Sequence, residues 1–247
     1  LYDATTGGSL VAADGGVARW EDKSGNNRHP TQGTAGSRPA RKTAIQNGLD
    51  VMRFDGSDDA LVIPSSTSFF NFAHETAFTA FVAFAKEAQA ELANLLVGNN
   101  YITSSQRGFL FFVDDRDATV GAGGNALRTF VSSADGASGP DRILVEDIGP
   151  VNSVSDTAFQ VVSTVVDHSN TGASRSQQRV NGSALAQNNT YTRATVSGDA
   201  TNDLVIGGFG SNFLDGDICE IIIYNSALSD TDREAVENYL IAKWGIS

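Results

Sequence analysis

Residues 204–246 carry a short strand, a turn, a strand apolar on both faces and one capped helix, and no other stretch restricts the fold as tightly. Leu204, Val205 and Ile206 form an apolar run stopped by Gly207 and Gly208. Asp215-Gly216 has the make-up of a tight turn, because glycine takes the positive φ such turns need. Beyond it, Cys219, Ile221 and Ile223 fall on one alternating set and Ile218, Ile222 and Tyr224 on the other, with Glu220 as the exception. A strand apolar on both faces is covered on both, so this one belongs deep in a layered sheet. Ser229 then fits an N-cap, with Asp232 three residues on in the place of a capping-box acid. Val236, Tyr239, Leu240, Lys243 and Trp244 follow at helical spacing as one apolar stripe with a snorkelling lysine. A single terminal helix after a β-rich chain is expected to clasp a sheet, with Tyr239 and Trp244 as its anchors.

Upstream, short apolar runs alternate with turn residues. Residues 17–20, 49–54, 60–63, 77–85, 108–113 and 159–166 read as strands, and residues 126–131 and 142–145 give weaker strand signals. Residues 88–97 fit a helical turn leading into a strand, and residues 69–72 an aromatic loop or short helical turn. A polar loop runs from Glu21 past Gly36 to Arg38-Pro39, and residues 114–150 are rich in Gly, Asp and Ser. Asn181-Gly182 marks a hairpin. Short strands, frequent turns and scarce helix predict an all-β sandwich or jelly roll, and 247 residues suit one such domain over residues 1–247.

The net charge of −12 repels phosphate backbones and anionic lipid, which argues against nucleic acid and membrane surfaces as partners. No run approaches the roughly 20 apolar residues of a membrane span. Cys219 is the one cysteine, so no intrachain disulfide forms and the redox compartment is left open. The start at Leu1, with no signal peptide in view, fits a processed product or an excised domain.

Several motifs then fall in a known order. Trp20-Glu-Asp-Lys-Ser-Gly25, Arg38-Pro39, and the run from Val51 through Arg53, Phe54, Asp55 and Gly56 to Leu61 come first. Arg179-Val-Asn-Gly182 and the closing Asp215-Gly-Asp-Ile-Cys-Glu-Ile-Ile-Ile-Tyr-Asn225, with its helix ending Lys243-Trp-Gly245, follow. In this order they resemble the laminin-G-like/concanavalin A-like lectin-glucanase superfamily. The resemblance covers both ends of the chain and leaves residues 88–149 unmatched. It implies a two-sheet antiparallel jelly-roll sandwich with one C-terminal α-helix. It also implies glycan binding on a concave face or in loops at one rim, and a structural calcium (Ca2+). The superfamily includes lectins, adhesion modules, hydrolase domains and phage surface proteins, so function is argued from sites.

Three constellations qualify. Asp215-x-Asp217-x-x-Glu220 has the carboxylate spacing of Glu-x-Asp-x-x-Glu in laminarinase-type glycosidases, which share the superfamily fold. A retaining glycosidase needs two carboxyls about 5–5.5 Å apart on a face that a sugar reaches. Here the first acid is an aspartate, one methylene shorter, and the stretch reads as turn plus buried strand, so its acids are expected to be scaffolding. Asp55, Asp58 and Asp59 on one loop can supply oxygens to calcium, or equally stabilise the turn as Asx side chains. The run Asp114-Asp115-Arg116-Asp117 poses the same choice. For sugar, Asn99, Asn100, Tyr101 and Arg107 combine hydroxyl-binding groups with an aromatic that can stack on a pyranose face. His29, His74 and His168 are too scattered to build a zinc site or catalytic triad from proximity.

The expectation is a non-catalytic carbohydrate-binding or adhesion module, outside the cell, at the cell surface or on a virion, with a glycan or a surface protein as partner. One alternative is a structural surface module, such as a phage capsid decoration or tail component, assembling through protein contacts with itself or others. The other is a laminarinase-type hydrolase.

Overall fold

The computed structural model describes residues 2–4, 12, 14–88, 92–98, 107–114, 124–132, 143–186, 188–195, 197–200 and 202–247. Its framework is two antiparallel sheets packed face to face. The first, in spatial order, joins β12 (Ser183–Ala184), β11 (Ser176–Val180), β10 (Gln160–Asp167), β5 (Ala77–Lys86), β16 (Asp215–Tyr224), β3 (Leu49–Asp55) and β2 (Ala40–Gln46). Strand β1 (Tyr2–Asp3) also pairs with β16. The second joins β4 (Leu61–Val62), β13 (Val205–Ile206), β6 (Leu92–Val97), β7 (Gly108–Asp114), β8 (Ala126–Ser132) and β9 (Ile143–Ile148). A small hairpin of β14 (Gly208–Phe209) and β15 (Asn212–Phe213) precedes β16. Two α-helices, α1 (Phe72–Glu75) and α2 (Asp230–Trp244), and two short 3-10 helices, Ala35–Ser37 and Gly172–Arg175, complete the described fold. The expected all-β sandwich with one long terminal helix is the observed architecture.

Between the sheets lie Phe54, Phe78, Val82, Phe84, Ile218 and Ile221 from the first and Leu96, Phe109, Phe111, Val113, Leu127 and Val131 from the second. A separate cluster of Val51, Phe81, Ala83, Val161 and Cys219 is roofed by Leu240 and Trp244 of α2. Each side chain so buried is worth roughly 1.5–3 kcal/mol in transfer free energy, which is why these runs choose strand positions over local propensity. The end of the chain is therefore the clasped inner strand its sequence suggested, but with a different facing pattern. Its register shifts between Ile218 and Glu220. Cys219, Ile222 and Tyr224 join the helix-side cluster, while Ile218, Ile221 and Ile223 belong to the core between the sheets. A β-bulge inserts one residue and reverses the alternation beyond it, so strict period-2 counting fails across this strand.

Two other expectations are corrected. Asp215-Gly216 is no turn; it opens β16, and a Cβ on Gly216 would lie 2.3 Å from the Ala85 carbonyl oxygen of β5. The glycine is needed for close approach of two backbones. Residues 17–20 form no strand; only isolated bridges, Gly16 to Ala40 and Arg19 to Thr31, tie that region to its neighbours. At Asn181-Gly182 both residues have positive φ, 47° and 77°, as the hairpin dipeptide predicts. Asn47-Gly48 does the same, at 51° and 72°, between β2 and β3.

Helix α2 starts where its cap signal places it. The Ser229 hydroxyl oxygen accepts the Asp232 N–H at 3.2 Å, and Gly245 ends the helix in the left-handed region at φ 59°. Its buried face includes Arg233 and Glu237 beside Leu240 and Trp244, a more polar stripe than the apolar residues alone indicated. Glu237 accepts from the Ser163 hydroxyl at 2.5 Å and pairs with Arg179 at 3.5 Å. Tyr239, expected as an anchor, is 47% exposed and touches the sheet through its hydroxyl.

Candidate functional site

The acids proposed for hydrolysis are already committed to one another's neighbours. Asp217 accepts two hydrogen bonds of 2.7 Å from Arg53, a bidentate pair. Glu220 is fully buried and accepts from Tyr239 Oη at 3.1 Å, Lys243 Nζ at 2.9 Å and Trp244 Nε1 at 2.9 Å. The bulge turns Glu220 to the helix side, and α2 supplies all three donors. A cavity of about 330 Å³ lies beside Asp215, Asp217 and Glu87, and its two cations are committed, Arg53 to Asp217 and Lys86 to Asp156. These carboxylates are scaffolding.

Of the sugar-binding set, Asn99, Asn100 and Tyr101 lie outside the described residues. Arg107 packs its guanidinium against Gly198, where a Cβ would come within 2.7 Å of Nη1. Asp115, Arg116 and Asp117 also lie outside the described residues, while Asp114 is buried and paired with Arg128 at 2.8 Å.

Asp55, Asp58 and Asp59 do converge, with one carboxylate oxygen from each within 4.8 Å of the others. Asp59 is buried and its Oδ2 accepts the Asp55 N–H at 3.1 Å. Asp55 Oδ1 accepts from Ser57 N–H at 2.9 Å, an Asx turn, and Asp58 accepts from the Ser37 hydroxyl at 2.9 Å. Burial and the neighbouring Asp55 push the Asp59 carboxyl up to about 6. The spacing suits oxygens sharing a calcium ion, which binds each at 2.3–2.6 Å, although three carboxylates fall short of its usual six to eight ligands.

A concave site that joins aromatic and polar groups lies at the opposite end of β16, where Ile223, Tyr224 and Asn225 meet the 22–28 loop and the aromatic turn before α1. This cavity of about 290 Å³ has a floor of Phe69, Phe70, Phe72 and Ile223 and a polar rim of Ser24, Asn26, Arg28 and Asn225. The aromatic turn is pinned from behind. Asp203 accepts from Ser66 N–H at 2.6 Å, and Asn71 Nδ2 donates to Asp199 at 3.0 Å. His74 and His168 each place Nε2 on a backbone carbonyl, Gly198 at 2.8 Å and Ala73 at 2.9 Å. Phe69 and Phe70 meet edge to face with centroids 4.9 Å apart.

The loop opposite is organised by Asp22. Its Oδ1 accepts Ser24 N–H at 2.9 Å, and its Oδ2 accepts both the Ser24 hydroxyl and the Arg28 N–H at 2.9 Å. Burial alone raises this carboxyl, but the donors from Arg28 and Ser24 outweigh it and hold the pKa below the ordinary aspartate value. His29 Nδ1 accepts the Asp22 N–H at 3.0 Å and closes the ring. Arg28 projects from this braced loop, with its guanidinium carbon 4.3 Å from the Phe69 ring centroid and Nη1 donating to the Ser65 carbonyl at 3.4 Å. Preorganised donors above an aromatic floor suit a ligand with both a hydrophobic face and hydroxyls. In the sequence the 69–72 aromatics were visible as a cluster. Arg28 was one charge in a polar loop, since its partner Phe69 is remote along the chain.

No protein-family model matches the sequence, and a search of curated proteins finds no match. Solved structures do resemble it. The CBM40 of Ruminococcus gnavus IT-sialidase, bound to α2,3-sialyllactose, aligns with TM-score 0.55 and 16% identity over 79% of this chain and 99% of that one. The binding domain of Paraclostridial Mosquitocidal Protein 1 aligns with TM-score 0.63 and 14% identity over 94% of this chain and 54% of that one. Trypanosoma rangeli sialidase gives TM-score 0.53 and 14% identity over 94% of this chain and 32% of that one. At such identities the likeness is one of fold, and it places this chain among β-sandwich domains.

Proposed function

We propose that the chain is a non-catalytic carbohydrate-binding or adhesion module of the laminin-G-like/concanavalin A-like kind, displayed outside the cell or on a cell or virion surface. Its glycan sits in the rim pocket at the end of β16. The observation that carries this reading is the pairing of an aromatic floor, Phe69, Phe70 and Phe72, with the hydrogen-bonding rim of Ser24, Asn26, Arg28 and Asn225. Sugars present an apolar ring face and a hydroxyl edge, and this pocket offers a partner for each. Solved structures of similar fold, a CBM40 bound to α2,3-sialyllactose and toxin binding domains among them, support the same class of partner. Calcium enters this proposal only as a structural ion at Asp55, Asp58 and Asp59, remote from the ligand.

The test is a glycan array followed by calorimetry on the strongest binder. Phe69→Ala and Asn225→Ala are expected to weaken binding by roughly tenfold or more each, the size of a lost stacking or hydrogen-bond contact. An array with no binder would end the proposal.

A further inference from the structure

Resting on that reading, we infer that His74 and His168 gate the pocket: both must be neutral for α1 to hold Phe72 in the floor, so the glycan is kept at neutral pH and released in acid. Phe72 is the first residue of α1 and part of the aromatic floor, so a displacement of α1 also takes the floor apart. One turn of helix does not hold itself, because isolated helices shorter than about 12 residues are marginal in water. Its position rests on its neighbours. His168 Nε2 lies 2.9 Å from the Ala73 carbonyl oxygen of α1, and the His168 N–H donates to the Thr76 carbonyl at 3.0 Å. From α1 itself, His74 reaches the Gly198 carbonyl at 2.8 Å, and Glu75 accepts the Gly198 N–H at 2.8 Å. The helix is thus held between the end of β10 and the chain at Gly198.

These contacts fix the protonation state they require. A carbonyl oxygen only accepts, so each Nε2 must carry the hydrogen and each Nδ1 must present a bare lone pair. Both Nδ1 atoms are buried and have no hydrogen-bond partner among the described residues. A proton added there puts a charge and an unsatisfied N–H inside the wall, and displacing α1 returns both to water. Glu75 and Asp199 are the acids facing His74, and each already accepts a hydrogen bond, from the Gly198 N–H and from Asn71, while Arg107 faces it as a cation. Asp167 faces His168 but accepts from Ser169 and Asn170, and Arg175 and His74 oppose a charge there. Burial is the largest influence on both imidazoles, holding His168 to about 4 and His74 below the ordinary histidine value of 6.5. Because the closed wall favours the neutral forms, closure is complete above about pH 6.5 and is lost as the pH falls toward about 4. At about pH 5, His168 alone lowers the ratio of closed to open α1 by roughly 30-fold.

The experiment has one arm without a ligand and one with. Hydrogen exchange of the 70–76 amides, corrected for intrinsic rates, compares wild type at about pH 7.5 and about pH 5. Protection in this segment is expected to fall by roughly 30-fold or more, with no comparable fall in β5. An array of neutral glycans read at the same two pH values is expected to show apparent affinities roughly 3- to 30-fold weaker in acid, the larger figure being the whole change in the closed-to-open ratio. The double variant His74→Gln/His168→Gln keeps a donor toward each carbonyl and cannot titrate. Its exchange and binding are expected to change by less than about twofold over that range. His29 stands on the opposite loop, 3.4 Å from Glu21, and the control His29→Gln is expected to keep the wild-type response. Equal protection at both pH values, or affinities that fall as far in the double variant as in wild type, overturn the inference and leave the glycan reading standing. An array blank at both pH values ends the glycan reading, and the gate falls with it whatever the exchange shows. The exchange comparison needs no variant, so a misfolded double variant would not blunt the test.

Discussion

Glu220 shows how one side chain can have a legible chemistry and an illegible partner. A carboxylate inside a run of isoleucines must be paired, since an unpaired buried charge is costly. Which groups pair with it depends on the bulge and on the turn from β16 into α2, and neither is written in Glu220's neighbours. Removing it as Glu220→Ala strands Lys243 and two further donors, and unfolding in urea is expected to report a loss of about 3–5 kcal/mol. Asp59 sets a different residue-scale expectation. Its folded pKa of about 6 lies above the ordinary aspartate value of 3.8, so the folded state holds the proton more tightly. Stability from this group is full below pH about 4 and is lost as the pH rises through about 6, an effect of at most about 2–3 kcal/mol. The melting temperature of Asp59→Asn should rise relative to wild type as the pH rises from about 4 to about 6, because the amide cannot ionise. Added calcium should restore stability to wild type at neutral pH if the three aspartates hold the ion.

At the scale of elements, α1 is a short helix stabilised mainly by what it touches. His74 and His168 both have lowered pKa values because burial disfavours their charged forms, His168 to about 4. Neither Nδ1 has a hydrogen-bond partner among the described residues, so a proton added there has no acceptor. Here the sign is opposite to that of Asp59. Stability is full above pH about 6.5 and is lost as the pH falls toward about 4. Between these values the two effects offset one another in wild type. A His168→Gln variant should therefore expose a fall in melting temperature with rising pH, and Asp59→Asn a fall with declining pH.

Elements also differ in how openly the sequence declares them. Strands β5, β7 and β10 are apolar runs bounded by turn residues and read directly. Strand β2 gives no apolar signal because it lies at an edge and carries Arg41, Lys42 and Thr43 with no fully buried residue. Strands β8 and β9 gave weak signals because Thr129 and Asp147, though polar, are buried in hydrogen-bonding partnerships with Thr164 and Ser176. For the Ser229 cap of α2, Ser229→Ala should cost about 1 kcal/mol in the same urea assay.

For the whole molecule, the layered sandwich followed from alternation and turn spacing, whereas the rim pocket did not. Its residues come from the 22–28 loop, the 69–72 turn and the end of β16, three places that only the finished strand order assembles. Aromatic character alone marked one wall. The clasp of α2 on the first sheet is a whole-molecule contact, and Trp244→Ala should cost about 3–5 kcal/mol by emptying the space above Cys219 and Val51.

The extra residue between Ile218 and Glu220 ties these layers together. Were Cys219 to pair in an unbroken ladder, every side chain after it would face the opposite surface of the sheet. Glu220 would then turn its charge toward the core between the sheets, and Ile221 toward α2. Deleting Cys219 would instead join Ile218, opposite Phe84, directly to Glu220, opposite Ala83, and keep both facings. The inserted position thus sets which side of the molecule is oil and which is lock.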